Sequence, residues 1–143
     1  MVELTSGLGP DLCLTSRYWE LMRRDVDGKA PEEACGFLAG KGQSVSAVIP
    51  VTNKLHSPFR YHMDPYEQLQ AFQRIEEDGQ ELLGIYHSHP NGPDVPSPTD
   101  IAEAFYPDVV YIIWYRALQE WRCRAFRIKD GSVSEVGFEI TDG

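Results

Sequence analysis

The chain has 143 residues, of which 42% are hydrophobic and 11% are aromatic. This length and composition predict one folded domain over residues 1–143 and exclude a disordered or fibrous segment. Thirteen basic and 22 acidic residues give a net charge of −9, which argues against nucleic acid as a partner because phosphate contacts need Lys and Arg.

No segment predicts a membrane span or a secretion signal. The most apolar stretch, residues 109–115, is much too short to cross a bilayer, and residues 1–10 have neither a basic start nor an apolar run. Three cysteines without a Cys-x-x-Cys pair predict reduced thiols, among them Cys35 as a buried residue. We therefore expect a cytoplasmic protein whose residues 1–10 are a flexible lead-in.

The first predicted helix begins near Ser16, which is a favourable N-cap residue. Its apolar residues recur at spacings of three and four and form one face, made of Tyr18, Trp19, Met22 and Val26. The turn residues Asp27-Gly28 predict its end.

Three strands are predicted next. Residues 33–40 form a short apolar run between turn residues, which indicates a buried strand. Residues 44–51 predict a second strand, and residues 59–63 predict a third. On the second strand, alternation predicts one common side for Val45, Ala47 and Ile49.

The second predicted helix begins at Asp64-Pro65, with Asp64 as the N-cap and Pro65 at the first helical position. Glu67 lies where its side chain can reach back to the cap, and Gly79 is the predicted residue after the helix end. The predicted inner face consists of Leu69, Phe72 and Ile75.

The C-terminal half predicts four further elements and completes an α+β domain. Residues 82–89 and 109–117 predict buried strands, and a short helix follows Ser97. Residues 121–128 alternate strongly and lead through a turn into a last strand over residues 132–140. The sum is a mixed β-sheet flanked by two principal helices and one short helix.

Two histidines separated by one residue, His87 and His89, are the strongest chemical signal. In a strand, such residues point to the same side, so both imidazoles can meet at one point. Together with a carboxylate they suit Zn(II) with one position open for water. The alternative is a pair of partly buried polar residues, as we also expect for the isolated His56 and His62.

Ser97 and Asp100 have two interpretations. Ser97 fits the N-cap of a short helix, with Asp100 reaching back to it as in a capping box. A capped first turn also holds Asp100 rigidly, and the loop of Pro and Gly before it can fold that turn towards His87 and His89. The capping role and a chemical role are therefore compatible.

The run from His87 to Asp100 resembles the JAMM (MPN-plus) metalloprotease motif. The sequence His-x-His-Pro, followed by Ser97 and Asp100 at fixed distances, matches every defined position of that motif. The resemblance implies an MPN/JAMM architecture, similar to that of cytidine deaminases.

Further segments carry the same resemblance. Residues 31–40 look like the family segment that holds the catalytic glutamate, and Glu33 rather than Glu32 lies three residues before the Gly. Gly84-Ile85-Tyr86, Asn53 and the stretch 61–65 look like those of small bacterial and archaeal members.

The resemblance implies a role for each motif residue. His87, His89 and Asp100 would bind one Zn(II) ion per chain, with a water in the fourth position. Glu33 would act as general base and then general acid, and Ser97 would help to stabilise the oxyanion.

The resemblance also implies the substrate class. The family cleaves next to the C-terminal tail of ubiquitin or a ubiquitin-like protein, and the similar small prokaryotic enzymes act on β-grasp sulfur-carrier proteins with a Gly-Gly tail. The bond could be a linear peptide, an isopeptide or the link to a cysteine, and the oligomeric state stays open.

Three alternatives stay open at the level of sequence. One is a non-catalytic MPN-type binding scaffold, and a second is a RadC-like protein of DNA metabolism with a similar His-x-His-Pro-x-Gly loop. The third is a zinc hydrolase that acts on a small peptide without a protein partner.

Overall fold

The computed structural model describes residues 9–142, where three helices pack around an eight-stranded mixed sheet. The elements are β1 (Leu12–Thr15), α1 (Ser16–Lys29), β2 (Cys35–Lys41), β3 (Ser44–Val51), α2 (Pro65–Glu77), β4 (Glu81–His89), α3 (Pro98–Ala102), β5 (Val110–Ala117), β6 (Glu120–Lys129), β7 (Ser132–Val136) and β8 (Phe138–Thr141). The strand order is β7-β6-β5-β4-β2-β3-β1-β8. The predicted α+β class and mixed sheet are confirmed.

The sheet separates two apolar cores, one under each long helix. Met22 of α1 packs with Tyr86 and Trp114 in the first core. Ala71 of α2 packs with Ile85 in the second, where the tilted rings of Phe72 and Phe37 have centroids 5.1 Å apart. Because neighbouring residues of a strand face opposite sides, β4 contributes alternately to the two cores.

The first helix begins at Ser16 as predicted, but its N-cap residue differs from the prediction. Ser16 is the first helical residue, and Thr15 is the N-cap without a side-chain capping bond. The reason is β1, which the sequence analysis missed: this strand runs directly into α1. The helix also continues through Gly28 to Lys29, while the predicted apolar face is confirmed. Of the predicted lead-in, residues 1–8 lie outside the described residues.

The second strand is confirmed over Ser44–Val51, but its predicted common face is wrong. The register between β2 and β3 shifts between Ala39 and Gly40, which leaves Ser46 as an extra residue on β3. A bulge of this kind reverses the alternation. Val45 therefore packs in the core under α1, and Ile49 packs in the core under α2.

The third predicted strand, over residues 59–63, is wrong. A single antiparallel bridge between Asn53 and Met63 takes its place. The backbone between them is held by the Asn53 side chain instead of a ladder, since its amide donates to the carbonyls of Ser57 and Arg60.

The second helix follows its predicted caps. Asp64 accepts from the backbone of Tyr66 and Glu67, and Gly79 has a left-handed φ of +66° just after the end. Two details were wrong. The Glu67 carboxylate accepts from the Thr52 backbone at 2.9 Å, and Leu69 is exposed because Ala71 faces the sheet in its place.

The predicted last strand over residues 132–140 is two strands. β7 pairs with β6, whereas β8 runs parallel to β1 at the other end of the strand order. One residue joins β7 to β8, so the sheet curls and its two end strands lie close together. The chain leaves the first edge at Gly137, between Val136 and Phe138. No helix within residues 9–142 combines the length and apolar character needed to cross a membrane.

Candidate metal centre

The central strand β4 carries both histidines at its end. β4 lies between β5, to which it is parallel, and β2, to which it is antiparallel. His87 and His89 are 1% and 3% exposed. They share the face that β4 turns to α2, because Ile85 two residues before His87 belongs to that core.

Asp100 reaches the two imidazoles from the first turn of α3. Its Oδ2 atom lies 3.1 Å from Nε2 of His87 and 3.0 Å from Nε2 of His89. The same oxygen accepts from the Ser97 backbone at 2.8 Å, and Ser97 Oγ accepts from the Asp100 backbone at 3.0 Å. The predicted capping box is confirmed, and it aims Asp100 at the histidines.

Each histidine ring is held by a different neighbour. Nδ1 of His89 lies 2.7 Å from the Pro93 carbonyl oxygen, an acceptor, so this nitrogen carries the proton and donates it. With Nδ1 engaged in this way, Nε2 is the nitrogen available for a metal, and it lies within hydrogen-bond distance of Asp100. The ring of His87 stacks on Tyr61 with centroids 4.7 Å apart and an interplanar angle of 29°.

The three converging atoms fit a divalent cation. The Nε2 atoms of His87 and His89 are 3.0 Å apart, so all three edges of the triangle with Asp100 Oδ2 are close to 3 Å. Tetrahedral Zn(II) with bonds of about 2.05 Å would need edges of about 3.3 Å. Acceptor atoms this close repel unless a proton or a cation lies between them. Two imidazoles and one carboxylate therefore could hold a metal here.

Glu33 joins the site from the strand beside β4. Cys35 pairs with His87, and the pairing continues one residue further, where the Ser88 backbone N–H donates to the Ala34 carbonyl at 3.0 Å. Glu33 therefore falls on the same face as the histidines. One of its carboxylate oxygens and a ring nitrogen of each histidine lie within 4.8 Å of one another.

Burial and hydrogen bonds together set the pKa values of these groups. Burial raises the pKa of Glu33 to about 8, because the charge of His89 compensates only in part. It also lowers the pKa of His87. For Asp100, burial is outweighed by hydrogen bonds from both histidines, and its pKa is lowered. The pKa of His89 is raised, since its bonds to Asp100 and Pro93 outweigh burial.

Asn53 supports the site, in a role that the sequence analysis did not find. This residue is 3% exposed, and its amide donates to the Glu33 carbonyl at 3.1 Å. Its Oδ1 accepts from the backbone of Leu55 and His62, which frames the loop that carries Tyr61. The family resemblance had marked Asn53, but the spacing of a single Asn after a strand does not indicate which distant groups it contacts.

A cavity of about 180 Å³ adjoins the candidate site. Tyr61 lines it and also stacks on His87, so cavity and site share one wall. Phe105 at its rim is 75% exposed. The remaining lining residues are Phe37, His62, Met63, Gln68, Ile85, Glu103, Tyr106 and Tyr111.

Other candidate groups lie outside the site. His56 is exposed and pairs with Glu32 at 3.0 Å. Cys35 is buried with its thiol 3.4 Å from the Val51 carbonyl, and burial raises its pKa to about 12. A thiol with this pKa is an inert packing group, as the sequence predicted.

Comparisons with known proteins give a consistent result. A family model described as prokaryotic homologues of the JAB domain matches residues 15–129. A CysO-cysteine peptidase of Mycobacterium tuberculosis is 39% identical over 115 residues, which cover 78% of this chain and 79% of that protein. A probable TtuB-protein conjugate cleaving protease of Thermus thermophilus is 46% identical over 87 residues, covering 60% of this chain and 57% of the relative. The solution structure of a Desulfitobacterium hafniense protein matches with a TM-score of 0.82 and 35% identity, over 92% and 94% of the two chains.

Proposed function

The chain belongs to the family of prokaryotic homologues of the JAB domain, and we propose that it is a zinc-dependent peptidase acting on ubiquitin-like sulfur-carrier proteins. It would cleave the amide bond that follows the C-terminal Gly-Gly tail. The observation that carries the proposal is the convergence of His87, His89 and Asp100 within about 3 Å, with the Glu33 carboxylate beside them.

The substrate class rests on the relatives and on the JAMM resemblance. Two relatives are named for the cleavage of CysO-cysteine and of TtuB-protein conjugates. Those names describe those proteins, and we extend the class, a small carrier protein with a cleavable C-terminal bond, to this chain. The loop of residues 90–96 is short, which leaves little room for a second ubiquitin-like protein to be gripped there.

Each polar side chain of the site has a part in this reaction. His87, His89 and Asp100 would hold the metal, which when bound would supply Lewis-acid chemistry by acidifying a water and polarising a carbonyl. Glu33 would accept the proton of the attacking water and return it to the departing amine nitrogen. The Ser97 hydroxyl, whose oxygen accepts from the Asp100 backbone, still has its own proton to donate to the developing oxyanion.

The protonation of Glu33 suits this role. A general base works best when its pKa lies near the working pH, and burial has brought that of Glu33 from 4.5 to about 8. A nearby cation would lower it again and favour the carboxylate. Glu33 could therefore take up and release a proton near neutral pH.

The test uses a ubiquitin-like protein fused through Gly-Gly to a short C-terminal peptide. We expect the Zn(II)-loaded protein to release the peptide, with the carrier ending at Gly-Gly by intact mass. Chelator should abolish cleavage and Zn(II) should restore it. Glu33→Gln should keep the metal and lose activity, while the matched control Glu32→Gln, which alters a partly exposed carboxylate paired with His56 outside the site, should cleave normally.

Other outcomes would replace the proposal. Purified protein without stoichiometric metal and without cleavage would indicate a binding scaffold. Retention on duplex DNA at moderate salt would favour the RadC-like alternative. Equal cleavage of a free Gly-Gly peptide and the full fusion would indicate a small-peptide hydrolase. The cytoplasmic location stays a prediction.

A further inference from the structure

The loop between His89 and α3, residues 90–96, is fastened to the sheet by one arginine. Arg124 of β6 donates through Nη1 to Oδ2 of Asp94, which lies in this loop, at 2.8 Å. The residue before Asp94 is Pro93, whose carbonyl accepts from Nδ1 of His89 at 2.7 Å. The bond between Arg124 and Asp94 therefore lies next in sequence to the Pro93 carbonyl, which orients the candidate metal ligand His89.

Arg124 is itself held rigidly. Its other edge forms a two-bond fork with Glu135 of β7, through Nε at 3.1 Å and through Nη2. Its guanidinium also lies 5.5 Å from the centre of the Phe126 ring. The side chain is 23% exposed and Glu135 is 16% exposed. A guanidinium fixed on two sides loses little freedom when it binds Asp94.

Pro96 is buried and anchors the end of the loop next to α3, whereas the first half is more open. Asn91, Gly92 and Pro93 are exposed, and a backbone bond from Gly92 to the His89 carbonyl is a local turn contact. Gly92 has a left-handed φ of +76°. Between the exposed residues and the buried Pro96, Asp94 connects the loop to β6 through its bond with Arg124.

We propose that Arg124 is a positioning residue for the metal centre. Through Asp94 it holds the Pro93 carbonyl against Nδ1–H of His89, and this contact leaves Nε2, the ring nitrogen that faces Asp100, as the one to bind the metal. The proposal rests on the proposed function only in taking His89 as a metal ligand. Partners that orient ligating histidines typically contribute about 10- to 100-fold to metal affinity or activity.

The experiment compares Arg124→Gln and Asp94→Ala with wild type, and uses Arg122→Gln as the matched control. Arg122 is on the same strand two residues away, is largely exposed, and its nearest carboxylate is Glu120 at 3.8 Å. The first measurement is Zn(II) affinity by competition with a chelating dye. We expect both variants to bind Zn(II) about 10- to 100-fold more weakly and the control to match wild type.

The second measurement is independent of metal and of activity. Long-range ¹H–¹⁵N NMR of the chelator-treated protein reports which nitrogen of His89 carries the proton. We expect Nδ1–H in wild type and in the control, and exchange between the two nitrogens in both variants. In the double variant the loss of affinity should be close to that of either single variant, because both break the same connection.

The outcomes separate this proposal from the proposed function. Wild-type affinity and wild-type His89 signals in folded Asp94→Ala would overturn the positioning role, even if the enzyme cleaves carrier fusions. Asp94 is 49% exposed, so this variant tests the role even if Arg124→Gln fails to fold. A wild-type protein that binds Zn(II) but cleaves nothing would defeat the proposed function and leave the positioning role standing.

Discussion

Glu33→Gln should change how the stability of the metal-free protein depends on pH. The folded protein holds the Glu33 proton more tightly than the unfolded chain, because burial raises the pKa from 4.5 to about 8. A raised carboxyl pKa stabilises the fold below the unfolded value and loses that contribution as pH rises through the folded value. Glutamine is uncharged throughout and removes this dependence while keeping the side-chain shape.

The magnitude follows from the two pKa values. With 4.5 unfolded and about 8 folded, ionisation of Glu33 should cost wild type about 3 kcal/mol of stability between pH 5 and pH 7.5. Subtracting the variant's pH dependence from that of wild type gives this amount together with the change in the titration of His89, whose charge interacts with that of Glu33. Saturating Zn(II) should reduce the difference, because a cation favours the carboxylate.

Urea unfolding of chelator-treated protein at the two pH values measures the effect. Glu32→Gln is again the matched control, since Glu32 lies at the surface beside His56. Parallel pH dependences for wild type and Glu33→Gln would refute the reasoning. They would mean that water reaches Glu33 and keeps its pKa near the ordinary value.

Three further substitutions test the site and its support. Asp100→Ala should remove the third ligand and one half of the capping box, so metal analysis should find no stoichiometric Zn(II); full occupancy would exclude Asp100 as a ligand. Ser97→Ala should keep the metal, lose about 1 kcal/mol of stability in urea unfolding and slow cleavage roughly 100- to 1,000-fold; an unchanged rate would remove Ser97 from the mechanism. Gly36→Ala should lower the melting temperature by the equivalent of roughly 1–3 kcal/mol, because its Cβ would lie 2.5 Å from the ring of buried Tyr86; an unchanged melting temperature would mean that the ring can move aside.

Local chemistry allowed the sequence to predict most helix ends and most strands. The caps Asp64 and Ser97 act through bonds to residues two or three positions away, and both are present. Leu69 was misplaced because three- and four-residue spacing fits more than one helix face, and the smaller Ala71 faces the sheet. β1 was missed because it is four residues long and gains its pairing from β8, far away in the chain.

The candidate site shows the same division between local and distant causes. The convergence of His87, His89 and Asp100 follows from strand alternation and a capped turn within fourteen residues, both of which are visible in the sequence. The contacts of Asn53 and Arg124 depend on how separate loops and strands meet. Such contacts have no spacing pattern, so a single sequence does not reveal them.

Strand geometry also explains why the glutamate lies three residues before the glycine. Cys35 lies opposite His87, so residues 33 and 35 face the histidines, and Gly36 faces the other side. There the buried ring of Tyr86 crosses the backbone, held by a 2.6 Å hydrogen bond to Asp25, and leaves no space for a Cβ. An even spacing would turn the carboxylate towards α1, away from the candidate metal. The three-residue spacing therefore places the carboxylate on the face of the histidines and the glycine on the opposite face, where Tyr86 needs the space.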